Sequence, residues 1–326
     1  MTHELPRDLP TPRIVLGSRS SDLARAQAGQ VASELRGAWP GLDVETVWIT
    51  TTGDRVLDRS LPEIGGKGVF TAELEAALEE GEIDAAVHSL KDLPTELGDS
   101  FDVLGVPARA DPRDVLLGPQ GPMALEGLEE GAVVGTSSLR RKAQLLARRP
   151  DCRVDDLRGN VETRVEKMRA GDYDAVILAA AGLLRLELLD PDGAVFLEPP
   201  AWLPAPAQGA LGVEGRAGDE ATRALVERLE DPDVRLEVEA ERTFLATLQG
   251  GCLVPVGARA RVEGDRIRLD TVVLSTDGET ELRASGESGR DSGDALGRRL
   301  AEKLLDEGAD EILDEVREAA AEDGAG

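Results

Sequence analysis

Aromatic residues make up only 2% of this chain, and cysteine occurs twice in 326 residues. Cores poor in aromatics have to be filled by Ala, Val and Leu. Two cysteines cannot build the disulfide framework of a secreted domain. No apolar run is long enough to span a bilayer, and Met1 to Pro12 is polar and Pro-rich with no hydrophobic signal segment. These absences lead us to expect a soluble, cytoplasmic protein. Lysine is almost missing: Lys67, Lys91, Lys142, Lys167 and Lys303 are set in a chain of net charge −27. A dispersed acidic surface with Arg in place of Lys points to adaptation to high salt. It also excludes a nucleic-acid-binding protein, which would need a basic face. Hydrophobic residues reach 41%, enough for globular folding, and the length implies two or three domains.

Against this acidic background the clusters of arginine are informative. Arg13 to Leu16 reads as a strand, followed by Gly17-Ser18-Arg19-Ser20-Ser21 and a helix with Ala24, Ala28, Val31 and Leu35 on one face. Ala132 to Val134 repeats the plan, followed by Gly135-Thr136-Ser137-Ser138-Leu139-Arg140-Arg141 and a helix with Leu139, Ala143 and Leu146 on one face. Free N–H groups, hydroxyls and the positive end of the helix dipole make such a junction an anion site. Helix capping alone explains the serines, but not the arginines that accompany them twice. Arg158, Arg164 and Arg185 follow further on.

A second internal echo supports two similarly built halves. Gly81-Glu82-Ile83-Asp84-Ala85-Ala86-Val87 resembles Gly171-Asp172-Tyr173-Asp174-Ala175-Val176-Ile177, and each opens a strand after a helical segment. Residues 12–107, with a Pro-rich crossover and returning segment at 208–228, and residues 108–203 therefore read as two βα domains. Alternating strands and helices predict mainly parallel sheets. Ligands would bind beyond the carboxyl ends of the strands, in an arginine-lined cleft. Asp84 stands among apolar strand neighbours, where a carboxylate must be paired or functional; the matching Asp174 leaves a turn role open. Only the first echo has a polar exit, His88 to Asp92. Gly65-Gly66-Lys67-Gly68-Val69-Phe70 lacks the spacing of a nucleotide phosphate loop and suits a lid. Residues 232–326 read as a small α+β domain presenting Cys252 within Gly250-Gly251-Cys252-Leu253-Val254-Pro255, where the two glycines let the backbone approach something bulky. Cys152 reads as core.

Taken together, several motifs resemble one family. They are Ser18 to Ala24, Gly65 to Gly68, Asp84 to Asp92, Asp111-Pro112-Arg113-Asp114, Gly135 to Arg141, Leu157-Arg158-Gly159-Asn160 and Gly250-Gly251-Cys252. Their order and spacing are similar to those of porphobilinogen deaminases, from about Arg13 to Glu315. The resemblance implies two periplasmic-binding-protein-like βα domains around a cleft plus a small α+β C-terminal domain. It implies a transferase that condenses four porphobilinogen molecules head to tail into hydroxymethylbilane, releasing ammonia, for haem and related tetrapyrroles. It further implies a dipyrromethane cofactor on Cys252, Asp84 as the catalytic carboxylate, and Arg19, Arg140, Arg141, Arg158, Arg164 and Arg185 as binders of acetate and propionate groups. Ser21, Thr136, Ser138 and Gln208 would support them, with Lys67 and Phe70 at the lid; no metal is implied, and a monomer is.

The chemistry suits those residue types. Each pyrrole brings two carboxylates, which arginine grips bidentately while staying protonated. A carboxylate near the pyrrole N–H stabilises developing positive charge and handles a proton at the leaving amine. Asp22 stands where the family often has Pro, and Leu253 where a polar residue is common. Two other classes remain open: a non-catalytic two-domain anion-binding protein, which leaves Cys252 idle, and a cysteine hydrolase or transferase, which lacks a well-placed histidine beside its thiol.

Overall fold

The computed structural model describes residues 13–55, 71–249 and 254–323. Lys67, Phe70 and Cys252 lie outside the described residues. The chain divides into two compact units, residues 1–109 with 210–235, and 110–209 with 236–326.

The first unit opens with β1 (Arg13–Arg19), which places Ile14 and Leu16 in the core. Ser21 ends the strand and caps α1 (Asp22–Ala38): its Oγ accepts the Ala24 N–H at 3.4 Å, with Asp22 in the positive first turn. The α1 stripe of Ala24, Ala28, Val31 and Leu35 is buried. There follow β2 (Asp43–Ile49), a short α2 (Thr52–Arg55), α3 (Ala72–Glu79), β3 (Ala85–Ser89) and β4 (Phe101–Gly105). β2, β1 and β3 run parallel, and a later strand, Leu211–Arg216, lies antiparallel between β3 and β4. Helix α1 covers one face over Leu16, Val44, Val87 and Val213, while Leu74 and Leu78 of α3 pack on the other with Ile83 and Phe101.

The second unit repeats the plan. It contains β5 (Asp114–Gly118), β6 (Gly121–Pro122), β7 (Val133–Gly135), α4 (Leu139–Leu146), β8 (Arg153–Asp155), α5 (Val161–Ala170), β9 (Ala175–Ala179), α6 (Ala180–Arg185) and β10 (Phe196–Leu197). Strand order is β10-β5-β9-β7-β8, with β8, β7 and β9 parallel and β5 and β10 antiparallel. The chain then returns to the first unit with β11 (Leu211–Arg216) and α7 (Glu220–Val226). Along α8 (Pro232–Thr247) it passes back into the second. The antiparallel hairpins of β12 (Val256–Glu263), β13 (Arg266–Leu274) and β14 (Glu281–Gly289) follow, then α9 (Gly293–Asp306) and α10 (Ala309–Asp323). Phe244, Ile267, Leu269, Leu296, Leu300 and Leu313 make their core. The fold is thus α/β, with two βα sheets of matching topology and an α+β C-terminal part. No helix of the described residues is long and apolar enough to cross a membrane.

Candidate active site

In the first unit the carboxyl ends of β1 and β3 are neighbours because the strands are parallel. β1 delivers Arg19 and Ser21; β3 delivers His88 and Ser89, followed by a single 3₁₀ turn, Leu90–Asp92. Arg19, Ser21, Gln27, Thr71, His88, Ser89 and Asp92 line one pocket. Gln27 on α1 ties the two strand ends together, its Nε2 donating to Ser89 Oγ at 2.7 Å. Beneath them His88 Nε2 lies 2.9 Å from Glu214 Oε2, with both side chains buried. Asp92 is exposed at the rim.

Asp84, expected as the catalytic carboxylate, does not line this pocket. It precedes β3, at the opposite, amino end of the strand. Its N–H donates to Val15 O at 2.8 Å, and its Oδ2 accepts the Val15 N–H at 2.7 Å. Arg216 Nη2 lies 3.5 Å from its Oδ1. Asp174 does the same in the second unit, its N–H bonding Val133 O at 2.9 Å and its Oδ2 accepting the Val133 N–H at 2.7 Å. A carboxylate that caps the neighbouring parallel strand is needed twice because the sheet plan occurs twice. Asp92 is the carboxylate that the fold brings to Arg19 and Ser21.

The second unit gathers its predicted residues at the matching carboxyl edge. Thr136 follows β7 and is buried, its Oγ1 accepting the Ser138 N–H at 3.2 Å. Ser138 caps α4 by accepting the Arg141 N–H at 3.4 Å. After β8, Asn160 caps α5 through the Thr163 N–H at 2.9 Å. Arg158 and Arg164 flank that cap: Arg158 Nε donates to Asp156 at 2.5 Å, Arg164 Nε to Gly159 O at 2.7 Å. Arg185 closes α6 after β9 and donates to Gly209 O at 3.0 Å.

Arg140, Arg141 and Gln208 come together on one carboxylate of the protein itself. All three are buried and engaged with Asp114 at the start of β5. Arg140 Nη1 donates to Asp114 Oδ2 at 2.7 Å; Arg141 Nε and Nη2 donate to Oδ1 at 3.1 and 2.8 Å. Gln208 Nε2 and Trp202 Nε1 each add a bond of 2.9 Å. Burial alone would raise the Asp114 pKa, but the fields and hydrogen bonds of Arg140 and Arg141 outweigh it and hold the carboxyl far below the usual range. Two guanidinium groups against one carboxylate leave this cluster with one net positive charge. Arg140 Nε is buried with no hydrogen-bond partner among the described residues.

Residues 14–224 match the family described as porphobilinogen deaminase, dipyrromethane cofactor binding domain, and residues 235–306 match the porphobilinogen deaminase C-terminal domain. The chain belongs to the porphobilinogen deaminase family. Porphobilinogen deaminase of Roseiflexus sp. (strain RS-1) is 50% identical over 81% of this chain and 87% of its own length. That of Brevibacillus brevis is 49% identical, over 81% and 85%. Among solved structures, the Bordetella pertussis BvgS periplasmic VFT2 domain aligns with a TM-score of 0.40 at 17% identity, over 67% of this chain and 86% of its own, too slight a likeness to bear on the site. As a family member the chain is a transferase of tetrapyrrole biosynthesis: it condenses porphobilinogen into hydroxymethylbilane with loss of ammonia, and its cofactor is dipyrromethane.

Dipyrromethane is a polyanion, and the second unit fits one. Thr136 and Ser138 follow β7, Arg158 and Arg164 follow β8, and Arg185 ends α6; the unit also holds a buried cluster with an uncompensated positive charge and an N–H without a partner among the described residues. Two residues of consequence escaped the sequence reading. Asp92 was signalled by the polar exit that only the first echo has. Asp114 stands in the Asp111-Pro112-Arg113-Asp114 motif, but nothing local signals its ion cluster, since its partners come from α4, Trp202 and Gln208.

Proposed function

We propose that Asp92 is the carboxylate at the reacting centre, that Cys252 carries the dipyrromethane, and that the second unit's arginines bind its acetate and propionate groups. The observation that carries this reading is the pocket at the carboxyl ends of β1 and β3, which joins Asp92 to Arg19 and Ser21. A guanidinium there holds a substrate carboxylate while Asp92, on a 3₁₀ turn fixed by β3, is free to face a pyrrole N–H. When bound, the dipyrromethane supplies the primer that porphobilinogen units extend. Asp92 stabilises the positive charge that develops on the pyrrole and holds the proton at the departing amine. Arg158, Arg164 and Arg185 grip carboxylates at the second unit's strand ends, Thr136 and Ser138 add hydroxyl and backbone donors, and Arg140 and Arg141 offer the N–H groups that Asp114 leaves uncommitted.

Lys67 and Phe70 belong to a lid in this reading, residues 12–107 with 208–228, 108–203 and 232–326 are its three domains, and the enzyme works as a cytoplasmic monomer adapted to high salt. Support for the last point is the net charge of −27 with five lysines named above. Intact-mass measurement tests the attachment: the native protein should exceed its polypeptide mass by a two-pyrrole adduct that Cys252→Ala loses. A bare native mass would overturn it. Asp92→Ala should cut turnover by at least about 100-fold with the adduct retained, the scale of a lost electrostatic or acid–base group. Near-normal rates would refute the role of Asp92.

A further inference from the structure

We propose that Asp114 is a positioning residue of this enzyme: it sets the spacing and orientation of Arg140 and Arg141, so that the pair presents one net positive charge to a pyrrole carboxylate. The inference rests on the anion-binding reading of the second unit given above.

The side chain of Asp114 is fully buried and receives five hydrogen bonds on two oxygens. Those donors come from three places in the chain: α4, which carries both arginines, Trp202, and Gln208. Each donor limits where the carboxylate can lie, and the carboxylate in turn limits the guanidinium groups. Arg140 is further held by Leu203 O at 2.7 Å, and Arg141 by Ile177 O at 3.1 Å. A second carboxylate would neutralise the pair and leave nothing for a ligand; with none, the adjacent guanidiniums would repel. One carboxylate against two guanidiniums gives both a fixed geometry and a residual charge. The buried, unpartnered Arg140 Nε is a donor this cluster has not satisfied from within. A group misplaced by about 1 Å can cost on the order of 100-fold in a positioned reaction, so the constraint matters to function as well as to folding.

The test compares purified full-length wild type, Asp114→Asn and Trp202→Phe, each alone and with Arg141→Lys, by intact mass, far-UV circular dichroism, and steady-state kinetics per loaded enzyme. Trp202→Phe keeps an aromatic ring in the core and removes the indole N–H to Asp114 together with some volume, so it reports even where Asp114→Asn fails to fold. Asp114→Asn should raise the porphobilinogen KM at least about 10-fold in folded protein and lower the loaded fraction; Trp202→Phe should raise KM about 3-fold. In the Arg141→Lys background each effect should shrink by about half or more, because the residue acted in part through that arginine. A KM within 2-fold of wild type for either folded variant, or an effect that persists in full in the Arg141→Lys background, would overturn the proposal and leave Asp114 a purely structural ion pair. Absence of an adduct from the wild type would instead overturn the cofactor reading.

Discussion

Asp84 and Asp92 stand eight residues apart and are separated by the length of β3, which sends one to each edge of the sheet. The residue at the amino edge satisfies a backbone N–H of β1, so its removal should be felt in folding and not in chemistry. Asp84→Ala is expected to lower stability by about 1–3 kcal/mol, the cost of an unsatisfied backbone donor, with kcat and KM within a few fold; chemical denaturation beside steady-state kinetics checks both. A loss of turnover like that of Asp92→Ala would return the catalytic role to Asp84. His88 poses a separate residue-scale question. Glu214 is fully buried, its Oε2 meets the His88 ring, and its Oε1 has no partner among the described residues. His88→Leu leaves the buried Glu214 side chain without this hydrogen bond, and about 1–3 kcal/mol of stability should go with it, as read from urea unfolding; Glu214→Leu on top should restore part of the loss.

At the scale of elements, the helix bearing Arg140 and Arg141 is steadied by the hairpin between β13 and β14. Gly278 in its turn has φ +76°, and a Cβ there would come within 2.6 Å of Ala143 O on α4 and 2.4 Å of the N of Ala147, the residue that caps its C-terminus. Ala143 also packs with Leu203, Val272 and Leu274. Only glycine combines that backbone conformation with that approach. Gly278→Ala should therefore cost about 1–3 kcal/mol through overpacking and strain and raise the porphobilinogen KM by loosening α4. An unchanged melting temperature with unchanged KM would show that the turn can move away freely.

For the whole molecule, charge sets the conditions of stability. The Asp114 pKa is depressed in the fold from an ordinary value of 3.8, burial opposing and the two arginines dominating. Asp111 is also depressed: burial is the largest influence and raises it, but the hydrogen bonds and charge of Arg113 outweigh it. A depressed carboxyl binds fewer protons folded than unfolded, so its stabilisation is present above about pH 4 and drains away as pH falls below that. Wild-type stability should thus fall between about pH 4 and pH 2, and Asp114→Asn, although less stable at neutral pH, should show a shallower fall. A parallel slope would mean that Asp114 keeps its proton affinity on unfolding. The proposed salt adaptation, argued from the net charge of −27, predicts that activity and melting temperature rise toward molar salt, and equal values with and without salt would remove the case for it.

The sequence by itself determined the fold class and the family, because both rest on local and repeated pattern. Strand, glycine, hydroxyl cap and helix are contiguous in the chain, so the capped strand-to-helix junctions at Ser21 and Ser138 were legible before any coordinates. Contiguity is also why Asp84 reads as catalytic from sequence alone. A carboxylate opening an apolar strand looks the same whether it serves a substrate or the next strand's N–H, and only the repeat at Asp174 hinted at the second. Tertiary structure alone decided which edge of the sheet each carboxylate occupies, since that follows from parallel pairing of β1 with β3 across some seventy residues of chain. It alone decided that Arg140 and Arg141 are buried around Asp114, because that cluster assembles residues 114, 140, 141, 202 and 208, which share no local pattern.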